Sequence, residues 1–292
     1  MESQNILIDS NHEISDLNAV ISKVKESGTS FYWAMRLLPI EKRYTMFSIY
    51  AFCREVDDIV DSFDSPEEKL IKLAIWQNEI NHLFDRTPTT PITRVLDQFF
   101  NLYKFSKQDF FDIIEGMKTD SIQQLQIQDM TELLLYCDRV ASSVGRLSNT
   151  VFGIDPEISI KLAKHLGIAL QLTNILRDIK EDEDRNRIYL PKSLLDKHSV
   201  QFSKLSDINQ NQGFMNVCKE IADLAEKNFS IATSLISKCN SSQIRPVIIM
   251  LKIYYHLLRK MKTRGLQNIN TPVRVSRIMK LFISIRATIF NY

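Results

Sequence analysis

Two pairs of aspartates, each spaced by one helical turn, are the residues of this sequence best suited to chemistry. Asp57 and Asp61 form the first pair, and Asp178 and Asp182 form the second more than a hundred residues later. The i, i+4 spacing places both carboxylates of a pair on one helix face, where they repel each other unless a cation lies between them. Two such faces brought together suit Mg²⁺, which prefers carboxylate, water and phosphate oxygens. The pattern predicts a metal-dependent diphosphate site between helices.

The second pair continues a longer polar stripe. Gln171 and Asn174 precede Asp178 and Asp182 at i, i+3, i+7 and i+11, so all four share one helix face. A solvated polar face is the ordinary explanation for such a stripe. The flanking residues argue against it because they are those of a largely buried helix: Leu166, Ile168, Leu170, Leu172 and Ile175. Buried amides and carboxylates need partners, which metal and phosphate would supply.

Three arginines lie close to these pairs in sequence. They are Arg54, Arg177 and Arg187. The planar guanidinium binds phosphate oxygens through two parallel hydrogen bonds and stays charged, so these residues are candidates for the diphosphate. Pairing with the neighbouring aspartates is an equally good explanation for any one of them.

The composition predicts that helices position these residues. The 292-residue chain is 44% hydrophobic and 25% charged, with a formal charge of +2, which fits a soluble globular protein and argues against a broad nucleic-acid surface. With 7 Gly and 8 Pro it is poor in turn residues, so the fold class is predicted to be all-α. The four cysteines are widely separated, which favours reduced thiols and a cytoplasmic location over a zinc site or disulfides.

Apolar periodicity and capping residues divide the chain into helices. Residues 1–27 are expected to be a peripheral N-terminal segment, and residues 28–292 to form a single domain. Helices are predicted from 31 to 63 with a break at Pro39, from Ser65 as N-cap to 84, from 91 to 103, from Ser106 as N-cap to 117, and over 129–152, 156–182, 214–239, 243–264 and 271–288. Residues 185–212 are predicted to be irregular.

The C-terminal stretch raises the question of membrane contact. The N-terminus lacks the pattern of a secretory signal, and no run of eighteen apolar residues is present. Residues 273–290 are predicted to form a basic amphipathic helix, which suits peripheral contact with an anionic membrane. A terminal helix packed on the body with a solvated basic face is the favoured alternative.

Four motifs carry a resemblance to a known family. The first motif consists of SFYWAMRLLP at 30–39 followed by YAFCREVDDIVD at 50–61. The other three are YCDRVASSVG at 136–145, QLTNILRDIKED at 171–182 and RIYLP at 187–191. Together they resemble the signatures of the squalene/phytoene synthases. The resemblance is close over about residues 28–195 and loose beyond. It implies an isoprenoid-synthase-type helical bundle around a central apolar cavity.

Within the family, the chain most resembles the bacterial presqualene diphosphate synthases of the squalene and hopanoid route. The central residues 140–148, the run 31–39 and the segment 115–117 carry this finer likeness. It implies head-to-head condensation of two farnesyl diphosphates to presqualene diphosphate, with release of diphosphate. NADPH is not expected. Downstream squalene-forming enzymes are possible partners.

The resemblance also implies roles for individual residues. Two or three Mg²⁺ ions would bind Asp57, Asp61, Asn174, Asp178 and Asp182. Substrate would contact Ser30, Phe31, Arg54, Gln171, Asn174, Arg177, Arg187, Tyr189 and Tyr254. The catalytic set would be the four aspartates with Tyr50 and Tyr136, whose aromatic faces suit a carbocation. Two residues depart from the family pattern, Lys180 inside the second motif and Thr29 near the first.

Other functions remain open at this point. The product could be phytoene-like, dehydrosqualene or, from presqualene diphosphate, hydroxysqualene. In other classes, the chain could be a non-catalytic helical assembly protein or a membrane-surface binding module. Retention of all four motif aspartates argues against the assembly protein, and only the C-terminal stretch supports the binding module.

Overall fold

The computed structural model describes residues 11–27, 31–36, 38–201 and 211–289. The described residues are mainly helical, as predicted. The helices are α1 Asn11–Glu26, α2 Phe31–Arg36, α3 Ile40–Asp61, α4 Pro66–Phe84, α5 Pro91–Gln98, α6 Lys107–Asp120, α7 Met130–Cys137, α8 Ser143–Phe152, α9 Pro156–Asp184, α10 Lys192–Lys197, α11 Gln212–Ile236, α12 Ser241–Arg264 and α13 Arg277–Ile289. A 3₁₀ turn (Phe100–Leu102), a π-helix (Asp138–Ser142) and two short strands, β1 (Leu125–Gln126) and β2 (Arg187–Ile188), complete the described elements.

Local sequence explains where several helices begin. Ser65 accepts a hydrogen bond from the Glu68 amide, and the Glu68 side chain accepts one from the Ser65 amide, so the predicted N-cap is a full capping box. Asp155 accepts from the amides of Glu157 and Ile158 at the start of α9. Ser106 precedes α6 as predicted, but its side chain makes no capping hydrogen bond.

The two helices that carry the aspartate pairs lie in the interior of the bundle. On α3, Phe52, Val56 and Val60 are buried, and on α9 the buried residues include Leu172 and Ile175. Helix α9 is 29 residues long and packs against α8, α11 and the π-helix. Burial on several sides accounts for its many apolar residues and makes its polar stripe stand out.

A glycine allows α9 to approach the π-helix closely. A Cβ atom added at Gly167 would lie 2.6 Å from the backbone nitrogen of Ser142, too close for any side chain without movement of one backbone. Glycine here is a packing requirement, since its φ is not in the left-handed region. The contact sets the distance between α9 and the segment that carries Val140.

Several predicted boundaries differ from the structure. The segment 185–212 was predicted to be irregular, but its described part contains β2, paired in parallel with β1, and helix α10. The C-terminal helix starts at Arg277 instead of 271, since residues 272–276 have no regular secondary structure. The helix predicted over 129–152 contains the π-helix, and the one predicted over 91–103 is divided between α5 and the 3₁₀ turn. These features depend on contacts between distant segments, which periodicity does not report.

The N-terminal helix contributes to the core. We expected residues 1–27 to be peripheral, yet α1 packs against α3 and α5, and Val20 and Val24 are fully buried. Asp16 of α1 forms an ion pair with Arg94, at 2.7 Å from its Nε. The described part of this segment is therefore integrated into the bundle.

Within the described ranges, none of the helices has both the length and the apolar character needed to cross a membrane.

Candidate active site

Both aspartate pairs line one cavity of about 860 Å³. Its lining comes from α3, α6, α7, the π-helix, α9, β2, α12, the irregular residues 272–276 and α13. The predicted site residues in the lining are Arg54, Asp57, Asp61, Tyr136, Gln171, Asn174, Arg177, Asp178, Asp182, Arg187, Tyr189 and Tyr254. Residues that had not been predicted include Asp120, Arg185, Arg274 and Lys280, together with apolar side chains such as Met117, Val140, Ile175, Ile253 and Leu257. The lining is thus a mixture of the charged groups expected at a diphosphate site and the apolar groups expected of the central cavity.

The first aspartate pair contains two carboxyls in different environments. Asp61 accepts from Arg187 at 2.9 Å and from Arg185 at 2.6 Å. Burial would raise its pKa, but these two arginines outweigh it and hold the pKa below the usual range. Asp57 lies 3.0 Å from Arg54, yet burial and repulsion from Asp61 raise its pKa to about 6. The pair therefore favours a further positive charge near Asp57.

The second pair shows the same asymmetry more strongly. Asp178 accepts from the Arg177 Nε at 2.7 Å. Burial, followed by repulsion from Asp178 and Asp120, raises the pKa of Asp182 to about 8. A carboxyl in this state binds either a proton or a cation at neutral pH.

An amide in the polar stripe has an unused acceptor. The Asn174 Oδ1 atom is buried and has no hydrogen-bond partner, while its Nδ2 donates to Gln171 Oε1 at 3.4 Å. Tyr254, whose pKa is raised by burial, lies beside Asn174 and Arg177. An orphaned buried oxygen is costly unless a donor or a cation occupies the site.

Arg187 connects the two sides of the site. The parallel pairing of β2 with β1 places Leu125 opposite Arg187, and the guanidinium points towards the end of α3. It donates to the Val60 carbonyl at 2.7 Å as well as to Asp61, and only 8% of the residue is exposed. A buried arginine that donates hydrogen bonds to two acceptors has a fixed orientation.

Tyr136 and Tyr189 form a stacked pair on the cavity wall, with ring centroids 4.9 Å apart. Both hydroxyls donate to the buried Asp120, Tyr136 at 2.9 Å and Tyr189 at 2.6 Å. Burial raises the pKa of each phenol well above its usual value, and it raises the pKa of Asp120 to about 6.

Asp120 was missed by the sequence reasoning, although a signal was present. It follows Ile113 and Met117 at i+7 and i+3 on α6, so it continues a buried apolar face. A carboxylate at such a position requires partners.

One predicted residue lies outside the cavity lining, and two others fall outside the side chains that the structure describes. Tyr50 is outside the lining, and its hydroxyl donates to Ser27 Oγ at 3.1 Å. Ser30 lies outside the described residues. Phe31 begins α2, but its side chain is outside what the structure describes.

The donor set fits Mg²⁺, with part of its coordination supplied from outside the chain. Among the described residues, no three carboxylate, imidazole or thiol groups converge into a protein-only metal cluster. Mg²⁺ commonly binds through one or two carboxylates together with water and ligand phosphate oxygens. The orphaned Asn174 oxygen and the raised pKa of Asp57 and Asp182 are what such an ion would relieve.

Comparison with known proteins gives a consistent result. The family model described as "Squalene/phytoene synthase" matches residues 24–279. A presqualene diphosphate synthase of Sinorhizobium fredii (strain NBRC 101917 / NGR234) is 39% identical over 268 residues, covering 91% of this chain and 93% of that protein. The presqualene diphosphate synthase of Zymomonas mobilis subsp. mobilis is 38% identical over 273 residues, covering 93% and 92%. A crystal structure of a dehydrosqualene synthase with ligand superposes with a TM-score of 0.82 at 25% identity, covering 94% of this chain and 96% of that one.

Proposed function

The chain belongs to the squalene/phytoene synthase family, and on that basis we propose that it is a prenyltransferase that condenses two farnesyl diphosphates into presqualene diphosphate. One observation carries the proposal: two aspartate pairs and five arginines line a single cavity that also has an apolar and aromatic lining. The charged groups suit a diphosphate and the apolar groups suit a prenyl chain.

The chain's own residues would bind the diphosphates through two kinds of contact. Asp57, Asp61, Asn174, Asp178 and Asp182 would hold Mg²⁺, two or three ions in all, which when bound neutralises the negative charge of the leaving diphosphate. Arginines would donate directly to the same oxygens. Arg54, Arg177 and Arg187 already have fixed positions through their aspartate partners, so little rearrangement is needed to present a donor.

The hydrocarbon part of the cavity would protect the reacting carbons. Loss of diphosphate from one substrate leaves an allylic cation, which the double bond of the second substrate attacks. Val140, Ile175 and Ile253 offer no nucleophile to this cation, and the ring faces of Tyr136 and Tyr189 stabilise positive charge. Exclusion of water by such a lining prevents hydrolysis of the cation.

Loss of a proton closes the cyclopropane ring and completes the reaction. The products are presqualene diphosphate, one diphosphate and one proton. The Tyr136 and Tyr189 hydroxyls already donate to Asp120, and their raised pKa keeps both phenols neutral. This supports the departing diphosphate over a tyrosinate as the proton acceptor.

A dehydrosqualene product is the second candidate, favoured by the superposition with a dehydrosqualene synthase. It would require the presqualene intermediate to ionise again in the same cavity. The greater identity to presqualene diphosphate synthases supports release of presqualene diphosphate at the first stage, without NADPH, to a downstream squalene-forming enzyme.

The four cysteines are free thiols, which supports a reducing compartment such as the cytoplasm.

Product analysis tests this proposal. Purified protein is incubated with farnesyl diphosphate and Mg²⁺, with and without NADPH, and the lipid products are identified by mass spectrometry. We expect presqualene diphosphate in both reactions and none from the Asp178→Asn variant. Detection of dehydrosqualene, or of squalene only in the reaction with NADPH, would show that the enzyme forms that product instead of presqualene diphosphate. Absence of any product from farnesyl or geranylgeranyl diphosphate would refute the proposal.

A further inference from the structure

Helix α13 has an apolar face that the rest of the described protein does not cover. Ile278, Leu281 and Phe282 are 82%, 62% and 57% exposed. Their i, i+3, i+4 spacing places them on one face of the helix. Met279 and Ile283 are partly buried and pack against the core. The helix is therefore attached to the bundle by one set of apolar residues and presents a second set to solvent, which is unusual for a surface helix.

The region around this face is strongly basic. Residues 227–292 contain twelve Lys and Arg and no Asp or Glu, so all 35 acidic residues of the chain precede them. Arg274 and Arg286 are exposed on either side of the apolar residues in sequence. A chain with a net charge of +2 thus has an uninterrupted excess of positive charge in its last 66 residues, where the exposed apolar face lies.

This surface adjoins the cavity. Pro272, Val273 and Ser276 immediately precede α13 and line the cavity, as does Lys280 of α13 itself. The side chains of Val273 and Val275 are buried, which connects the start of α13 firmly to the site.

We propose that α13 is a docking surface for an anionic lipid bilayer. Ile278, Leu281 and Phe282 insert at the level of the acyl chains, and Arg274 and Arg286 contact the anionic headgroups. An interfacial helix has this combination of an apolar face with flanking basic residues. A second copy of the chain is a poor occupant, because pairing two such surfaces would bring like charges together. Docking would place the cavity at the lipid surface, into which the long hydrocarbon chains of the proposed product can partition.

Vesicle sedimentation tests the docking directly, without any substrate. The full-length protein is mixed with vesicles of phosphatidylcholine alone or of phosphatidylcholine and phosphatidylglycerol. We expect binding to the anionic vesicles that weakens with added salt. Leu281→Ser with Phe282→Ser should weaken it by roughly tenfold or more, from the lost apolar insertion. Arg274→Gln with Arg286→Gln should also weaken it, by about fivefold per arginine at low salt.

A matched control comes from α4, where Ile71 and Ile75 are 63% and 62% exposed in an acidic part of the sequence. Ile71→Ser with Ile75→Ser should leave vesicle binding unchanged. Circular dichroism checks that all variants keep their helix content. Equal vesicle binding by wild type and the Leu281→Ser, Phe282→Ser variant would overturn the proposal. The proposal would also be overturned if light scattering without lipid showed that the wild type is a dimer and the Leu281→Ser, Phe282→Ser variant is a monomer. Since no substrate is present, loss of docking is distinct from failure of the proposed reaction.

Discussion

At the scale of single residues, each aspartate pair contains one carboxyl that arginines neutralise well and one that they do not. Asp61 is paired with two arginines, whereas the raised pKa of Asp57 and Asp182 indicates that positive charge is deficient there. The acidic motifs are thus only partly satisfied by the chain itself. That imbalance is the expected property of a site whose remaining positive charge arrives with the ligand.

Removal of a motif aspartate should separate activity from folding. In Asp57→Ala, Arg54 keeps Asp58 as a partner at 2.5 Å, and repulsion with Asp61 is relieved. We expect turnover to fall by at least roughly 100-fold, as for loss of a group that stabilises developing charge, with unchanged helix content. A product assay and circular dichroism measure the two effects. Asp58→Ala, which leaves the Asp57–Arg54 contact in place, is the control; similar losses in both variants would contradict a special role for Asp57.

Asp178 is better replaced by Asn than by Ala. Arg177 is only partly exposed, so Asp178→Ala would leave its guanidinium without the carboxylate that now accepts from it. Asn retains an acceptor for one hydrogen bond while it removes the charge. From the sequence alone, Ala would be tolerated at both Asp57 and Asp178, because removal of one of two repelling carboxylates relieves strain. The Arg177 contact, which only the structure shows, makes Asp178 the exception.

Asp120 provides a test based on pH. Its pKa in the folded protein, about 6, exceeds the usual 3.8, so the folded state binds this proton more tightly than the unfolded state. The stability that it contributes is complete below about pH 4 and is lost as the pH rises through 6. Asp120→Asn removes this dependence. Between pH 4 and 7, the free energy of unfolding of the variant should improve relative to wild type by on the order of 2–3 kcal/mol.

Urea denaturation at several pH values measures this difference, and its slope is informative even if Asn lowers stability overall by losing one tyrosine hydrogen bond. Asp85→Asn, a change at an exposed carboxylate, is the control. A pH-independent difference between wild type and Asp120→Asn would show that the carboxyl is already ionised at pH 4.

At the scale of elements, the close contact between α9 and the π-helix determines where the second aspartate pair lies. Gly167→Ala would place a Cβ atom 2.6 Å from the Ser142 nitrogen, so one backbone must shift. We expect a loss of about 1–3 kcal/mol in stability, and a loss of activity from displaced aspartates. Thermal unfolding and a product assay measure these effects.

Gly145→Ala is the matched comparison for this contact. There the added atom would lie 3.1 Å from the Cβ and 3.2 Å from the Cα of Ala163, tight distances that require shifts of only a few tenths of an ångström. Its effect should be clearly smaller than that of Gly167→Ala. Equal stability of the two variants would show that α9 can move away from the π-helix without strain.

Periodicity and caps predicted the long elements well, and the reason is physical. Helices α3, α4 and α9 have buried apolar stripes and local start signals such as Ser65 and Pro156, which depend on neighbouring residues alone. The pairing of β1 with β2 joins residues more than sixty positions apart, so nothing local predicts it. The orientation of Arg187 follows from that pairing, which is why the sequence supplied the residue but not its contact with Asp61.

At the scale of the whole molecule, the site combines groups that the sequence marked with groups that only the tertiary structure brings in. The acidic motifs could be predicted because the i, i+4 spacing by itself places two carboxylates on one helix face. Arg274 and Lys280 could not, since they reach the cavity through the path of the chain after α12. Tyr50 was predicted to belong to the catalytic set, but it is outside the cavity lining, and its hydroxyl donates to Ser27, the residue that follows α1.

Helix α1 leads to a prediction about the whole fold. If residues 1–27 were peripheral, large-to-small changes in them would have little effect on stability. Instead Val20 and Val24 are fully buried between α1 and the bundle, and Lys23 pairs with Glu55 at 2.8 Å on α3, the helix of the first aspartate pair. Val20→Ala and Val24→Ala should each cost roughly 2 kcal/mol from lost burial and the cavity left behind. Ile14→Ala, at a residue that is 48% exposed, should cost much less. The denaturant midpoints of the three variants are compared. Equal midpoints would show that burial of Val20 and Val24 contributes little to stability and that α1 is peripheral. If the valines matter as expected, the helix that supports α3 is part of the structure that positions Asp57 and Asp61.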